Sequence, residues 1–193
     1  MFEYKDILKD ESKAHDILRM KSVDVEIPLS NEDKEYLKAM NEYLALGYDE
    51  NYTKNHDIRP GVGIAAPQIG VLKKMFAIMA YDEKGNFHNY IIINPRIISH
   101  SEEKIYLESG EGCLSVEKTY RGYIHRHKRI KASCYLYDIE NDTIVSTTLA
   151  LKGYLSIIFQ HEYDHLFGVL FFDHIDKINP FYVPENSSPL KFD

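Results

Sequence analysis

The sequence predicts an α+β protein in which short strands, mixed or antiparallel, pack around one central helix. Three observations carry this. Apolar runs come in pairs, MFAIMAY (75–81) with HNYIIINPRII (88–98) and RIKASCYLYDI (129–139) with TIVSTTLAL (143–151), each rich in the β-branched and aromatic residues that favour strands. Only after them does a strongly helical stretch appear, GYLSIIFQHEYDHLFG at 153–168. Strands and helices therefore do not alternate as a βαβ repeat would require.

The elements follow in order. Residues 1–30 mix a charged segment with Val23, Val25 and Ile27 before Pro28, which reads as a short helix followed by an extended arm. Ser30 with Asp33 three residues on resembles a capping box, and Leu37, Met40 and Leu44 keep the helical period before Gly47. A structural helix is expected over 31–46. The Gly-rich stretch GVGIAAPQIG (61–70) leads into the first strand pair, which turns at Gly85-Asn86, and ENDT turns the second pair. Between the pairs sits ESGEGCLS, 108–115. Gly168 is a natural stop for the helix at 153–168. Pro180, Pro184 and Pro189 forbid a long terminal helix, so residues 174–193 should pack as an irregular strap.

Composition bounds the rest. A chain of 193 residues without internal repeats or Pro/Ser-rich linkers is expected to be one domain, 1–193, with a core that needs no staples. A net charge of −7 has the wrong sign for gripping phosphate backbones, so stable nucleic-acid binding is not expected. Two cysteines, Cys113 and Cys134, are too few for a disulfide scaffold and read as reduced thiols or ligands. No apolar run approaches the roughly 20 residues that span a bilayer. The expectation is a soluble, cytoplasmic protein with no membrane partner.

His161, Glu162 and His165 form H-E-x-x-H within the helical stretch. A spacing of four residues puts both imidazoles on one face, where each can give a nitrogen to one metal. Glu162 falls beside that site, able to reach a water without being a ligand. Two buried histidines beside a surface glutamate are the plainer alternative. The extended zinc-peptidase motif would need a third His at position 171, where this chain has Phe171. A third ligand must come from elsewhere: Cys113, Cys134, or a distant carboxylate or histidine. Cys134 sits among apolar neighbours in a strand and reads as core filling, whereas Cys113 lies in a tight turn between a glycine and Leu114-Ser115. Two readings stand on these residues alone: a general H-E-x-x-H metallopeptidase, or a structural metal site closed by a fourth side chain.

GVGIAAPQIG (61–70), EGCLS (111–115) and QHEYDHLFGVLFFD (160–173) resemble, in order and spacing, the three motifs of the peptide deformylase family. The segment between the first helix and the Gly-rich motif, and GYIHRH after EGCLS, resemble the form common in Gram-positive bacteria. This resemblance implies metal ligands at Cys113, His161 and His165 with water in the fourth position, and Glu162 as acid/base. It implies one iron(II) per chain, which zinc, nickel or cobalt can replace. The implied reaction is hydrolysis of the N-formyl group from the initiator methionine of nascent polypeptides, releasing formate. The implied donors to the formyl oxygen are the Gln68 side-chain amide and the Leu114 backbone N–H.

Gly61 and Gly63 would let a peptide lie along the loop as an added strand. Tyr154, Ile157 and Ile158, seven, four and three residues before His161, nominate one wall of a methionine pocket. The resemblance adds Val62, Gly63, Gly110 and Gly112. Asp164 and Arg126 are candidates for holding a ligating histidine from behind, with solvated charges as the alternative. The basic run HRHKRIK (125–131) reads as a solvated strand end. The expected partners are N-formyl-methionyl nascent peptides and, transiently, the ribosome, and the expected state is a monomer.

Overall fold

The paired apolar runs form the middle of the molecule. The computed structural model describes residues 2–11 and 15–192. Its helices are α1 (His15–Leu18), α2 (Asn31–Leu46), α3 (Glu50–Asn55) and α4 (Gly153–His165), and its strands are β1 (Gly63–Ala65), β2 (Met75–Tyr81), β3 (Phe87–His100), β4 (Lys104–Tyr106), β5 (Arg126–His127), β6 (Arg129–Asp138), β7 (Thr143–Lys152) and β8 (Ser187–Pro189). Five strands make an antiparallel sheet in the order β1-β2-β3-β6-β7. A smaller sheet, β5-β4-β8, pairs β4 with β5 antiparallel and with β8 parallel. The α+β class is as expected.

The five-stranded sheet is covered on both faces, which is why β2 is buried at every residue from Met75 to Ala80 rather than at alternate ones. Met75, Ala77 and Met79 point to one face and join Leu37, Met40 and Leu44 of α2 in one core cluster. Phe76 and Ile78 point to the other face and join Leu155, Ile158 and Phe159 of α4. There the Phe76 and Phe159 rings meet edge to face with centroids 5.2 Å apart. Each such buried side chain contributes about 1.5–3 kcal/mol of transfer free energy. Cys134 belongs to the α4-side cluster, as its apolar neighbours imply.

α2 starts where its sequence says. Ser30 Oγ accepts the Asp33 N–H at 3.1 Å and donates to Asp33 Oδ2 at 2.7 Å, and that carboxylate also pairs with Lys73 at 2.5 Å. α4 is three residues shorter than 153–168: it ends at His165, and the chain turns through Leu166 to Gly168. Gly168 is the reason. Its φ of 73° lies in the left-handed region, and a Cβ there would stand 2.2 Å from the Arg19 carbonyl oxygen.

Several features depart from expectation. The tail is not wholly irregular, because Ser187–Pro189 pairs with β4 at the edge of the small sheet, a position a proline tolerates. α3, β4 and β5 were not anticipated; they are too short to build a period. The arm includes a 3₁₀ turn, Tyr4–Asp6, ahead of the short helix α1, and residues 12–14 of the charged segment lie outside the described residues. Among the described residues, no helix is long and apolar enough to cross a membrane.

Candidate metal centre

Three separate stretches converge at the C-terminal end of α4. Helical spacing sets His161 and His165 side by side, their ring centroids 5.2 Å apart. The 111–115 loop between β4 and β5 brings up Cys113, whose Sγ lies 3.3 Å from His165 Nε2. One ligand atom from each of Cys113, His161 and His165 falls within 4.8 Å of the others. Cys134, the other cysteine, lies in the core cluster behind α4. The Gly-rich segment supplies the third side: β1 and the 3₁₀ turn Ala66–Ile69, which carries Gln68. The N-terminal arm ties the two loops together, since the Leu8 N–H donates to the Gln68 carbonyl and the Asp10 N–H to the Ser115 carbonyl, both at 2.8 Å.

Gln68 is fully buried and has two duties. Its Oε1 accepts the Ala65 N–H at 2.8 Å, holding its own loop, while Nε2 points to Ser115 Oγ at 3.1 Å and Cys113 Sγ at 3.5 Å. The loop-stabilising role and the site-facing role therefore coexist. Glu162 is 4% exposed and its Oε2 has no hydrogen-bond partner among the described residues. Gly63 makes room for it: a Cβ on Gly63 would lie 2.4 Å from Glu162 Oε1. That glycine is required by close approach, not by backbone conformation.

Sequence reasoning missed the residue that orients His161. His161 Nδ1 meets Glu111 Oε2 at 2.8 Å. Glu111 in turn takes both Arg126 Nε (2.8 Å) and Nη2 (2.9 Å), a bidentate pair, and Arg126 Nη1 reaches Asp164 Oδ2 at 2.5 Å. His174 Nε2 closes the chain on the same Asp164 oxygen at 2.7 Å. Arg126 is 4% exposed, so HRHKRIK is not a solvated strand end throughout. β5 turns this one side chain inward because two carboxylates, a buried one on Glu111 and a partly buried one on Asp164, are there to meet it. The signal for Glu111 was its place beside Cys113 in E-G-C, which gave no hint of a partner 15 residues on.

Buried charges in contact shift one another. Burial would raise the Cys113 thiol, but the His165 and His161 rings more than offset it and bring it to about 5. Burial likewise works against the Glu111 carboxylate, yet Arg126 and His161 hold it at about 2. Burial raises Glu162 to about 7 despite the opposing histidines. Burial would lower His161, and Cys113 and Glu111 outweigh it so that the ring is raised. The site thus pairs a thiolate with an acid poised near neutrality, the arrangement expected where chemistry is done.

A cleft of about 290 Å³ opens onto this cluster, with Cys113, His161 and Glu162 at its floor. Of the expected pocket residues, Val62, Gly63, Gly112, Tyr154, Ile157 and Ile158 line it, as do Gln68 and Leu114. Gly110 does not line it. It sits in a turn closed by its own N–H on the Leu107 carbonyl, 3.0 Å, and the wall there is made by Leu107 and Glu111.

The donor set suits a transition metal. One thiolate and two imidazoles converge, and the His161 ring is fixed from behind by a carboxylate, as ligating histidines usually are. His165 Nδ1 and Glu162 Oε2 are buried without hydrogen-bond partners among the described residues. Three candidate ligands beside a cleft would match a site with one position open to water or substrate.

Comparisons with known proteins agree over nearly the whole chain. A family model described as polypeptide deformylase matches residues 4–181. A peptide deformylase of Oceanobacillus iheyensis is 44% identical over 191 residues, covering 99% of this chain and 100% of its own. One from Macrococcus caseolyticus is 45% identical over 188 residues, with 97% and 98% covered; both come from Gram-positive Firmicutes. The crystal structure of peptide deformylase from Thermotoga maritima superposes with a TM-score of 0.63 at 29% identity, covering 91% of this chain and 99% of that one.

Proposed function

We propose a role for each residue of this site from one premise: the chain belongs to the peptide deformylase family, metal-dependent hydrolases that remove the N-formyl group from nascent peptides. The observation that carries the assignment is the meeting of Cys113, His161 and His165 beside a buried, unpartnered Glu162 at the floor of an open cleft.

In this reading Cys113, His161 and His165 hold the metal, iron(II) by family resemblance, with zinc, nickel or cobalt able to replace it. When bound, the metal supplies Lewis acidity and lowers the pKa of water in the site. The residues do the rest. The Glu111–Arg126–Asp164 chain holds His161 as the tautomer that presents Nε2 to the cleft. Glu162 removes a proton from the attacking water, and its raised pKa makes it equally able to return that proton to the leaving amine. As water adds to the formyl carbon and the C–N bond breaks, the Gln68 amide and the Leu114 N–H donate to the formyl oxygen. The products are formate and a free N-terminal methionine. The peptide lies extended along Gly61–Gly63, and Val62, Gly63, Gly112, Tyr154, Ile157 and Ile158 surround the methionine side chain.

One catalytic domain spanning residues 1–193 carries this activity. It works as a cytoplasmic monomer that touches the ribosome only in passing. Apolar surface on both sheet faces is already covered by α2 and α4 within one chain, which supports the monomer.

The test is formate release from formyl-Met-Ala-Ser by protein purified without oxygen and loaded with iron(II), beside the same peptide lacking the formyl group. Formate from the first and intact peptide bonds in both are expected. Cleavage of internal bonds without formate would make the protein a general peptidase, and no reaction would leave a structural metal site.

A further inference from the structure

Three charged side chains besides His161 line the cleft: Glu111, Glu162 and Arg59. Glu111 is committed to Arg126 and His161, and Glu162 lies at the floor. Arg59 is the exception. It is exposed at the rim, and no described carboxylate pairs with it.

Its position is nevertheless fixed. The hydroxyl of Tyr43, a residue 1% exposed, takes the Arg59 N–H at 3.3 Å and donates to the Arg59 carbonyl at 3.1 Å. The guanidinium Nη1 donates to Tyr4 Oη at 3.0 Å. Tyr4 itself is anchored, its N–H on the Asp57 carbonyl at 2.7 Å and the next N–H, of Lys5, on the Asp57 carboxylate at 2.9 Å. A guanidinium has five N–H donors, of which one goes to the Tyr4 hydroxyl, and the side chain, also 5.8 Å from the Tyr4 ring centroid, lines the cleft.

An extended chain advances about 3.3 Å per residue. A peptide with its formyl group beside Gly63 and Glu162, running back along Gly61, brings its third or fourth residue opposite Arg59. We propose that Arg59 reads charge at those positions of the substrate, favouring formyl-methionyl chains that carry a carboxylate there over chains that carry a cation. This rests on the deformylase reading and adds to it a specificity-determining residue beyond the methionine pocket. The preference runs against the field of the whole protein, whose net charge of −7 by itself favours cationic peptides.

The experiment compares kcat/KM for formyl-Met-Ala-Asp-Ala-amide, its Ser analogue and its Lys analogue, in about 0.02 M and about 0.5 M salt, where the screening length falls severalfold. The iron(II)-loaded enzyme should prefer Asp over Lys by about two- to fivefold at low salt, the factor an exposed ion pair is worth, and lose the preference at high salt. Arg59→Lys should retain it, Arg59→Glu should reverse it, and Tyr4→Phe should weaken it by freeing the guanidinium. Equal rates for the three peptides, or the same order in the native enzyme and Arg59→Glu, would overturn the inference while leaving deformylation intact. No formate from any of the three peptides would overturn the deformylase reading and this inference with it.

Discussion

α2 and α4 pack on opposite faces of the same sheet, yet one is built for stability and the other carries the site. α2 has a side-chain cap at Ser30, an apolar stripe toward β2 and polar residues elsewhere. α4 has no side-chain cap and is buried on nearly every side, including four polar residues. Two of these are satisfied. Ser156 Oγ donates to the His127 carbonyl at 2.8 Å, and Gln160 both accepts the His127 N–H and donates to the His127 carbonyl. They bolt the helix to β5. Among the described residues the other two, Glu162 and His165, each leave one buried atom unpartnered; in α2 the comparable atom is a neutral amide oxygen, Asn41 Oδ1. An unpartnered ionisable group in a dry place costs stability, and it persists here in the helix whose end faces the cleft.

The sharpest way to break the comparison is to remove function from α4 without touching its packing. Glu162→Gln keeps size and burial and should lower kcat by about 10²–10⁴, while metal content by elemental analysis stays at the native level. Turnover within tenfold of native would take the proton-transfer role away from Glu162. Next in size is the support behind His161. Arg126→Met strands the Glu111 charge and should lower unfolding free energy by about 3–5 kcal/mol and metal affinity by about 10–100-fold. Adding Glu111→Gln should recover much of the stability and none of the affinity, as read by denaturant titration and competition with a chelator. Recovery of both would make the pair purely structural.

Changes in α2 should move stability alone. Ser30→Ala removes the cap and should cost about 1 kcal/mol with kcat/KM unchanged; a large loss of activity would tie α2 to the site. The smallest effect concerns Asp33. Burial works against its carboxylate, but Lys73 and Ser30 hold it below the usual range. A carboxyl depressed in the folded state stabilises above its unfolded pKa of about 3.9 and loses that contribution as pH falls through the lower folded value. Asp33→Asn should therefore flatten the acid limb of the stability curve below about pH 4, and an unchanged limb would remove Asp33 from it.

The same contrast explains what could be read in the sequence. α2 and the long strands β2, β3, β6 and β7 advertise themselves through local period and caps. So does H-E-x-x-H, because its geometry is internal to one helix. Cys113 needed the family resemblance, since a cysteine in a turn says nothing about which imidazoles it will meet. Arg126 and Asp164 could be nominated as supports for a ligating histidine, but Glu111 could not be paired with them from the sequence: that pairing is made by bringing the 111–115 loop against β5. β8, with only Ser-Ser-Pro, has no apolar pattern and exists because the edge of β4 is free to receive it.

The central claim is that Cys113, His161 and His165 bind one metal and leave a position open in the cleft. X-ray absorption on anaerobically prepared iron(II) protein, beside Cys113→Ser, tests it most directly. One iron per chain is expected, with one sulfur and two imidazole nitrogens plus exchangeable light atoms, and the sulfur should vanish in the variant. Sulfur scattering that persists in Cys113→Ser, or a shell filled by four protein ligands, would contradict it.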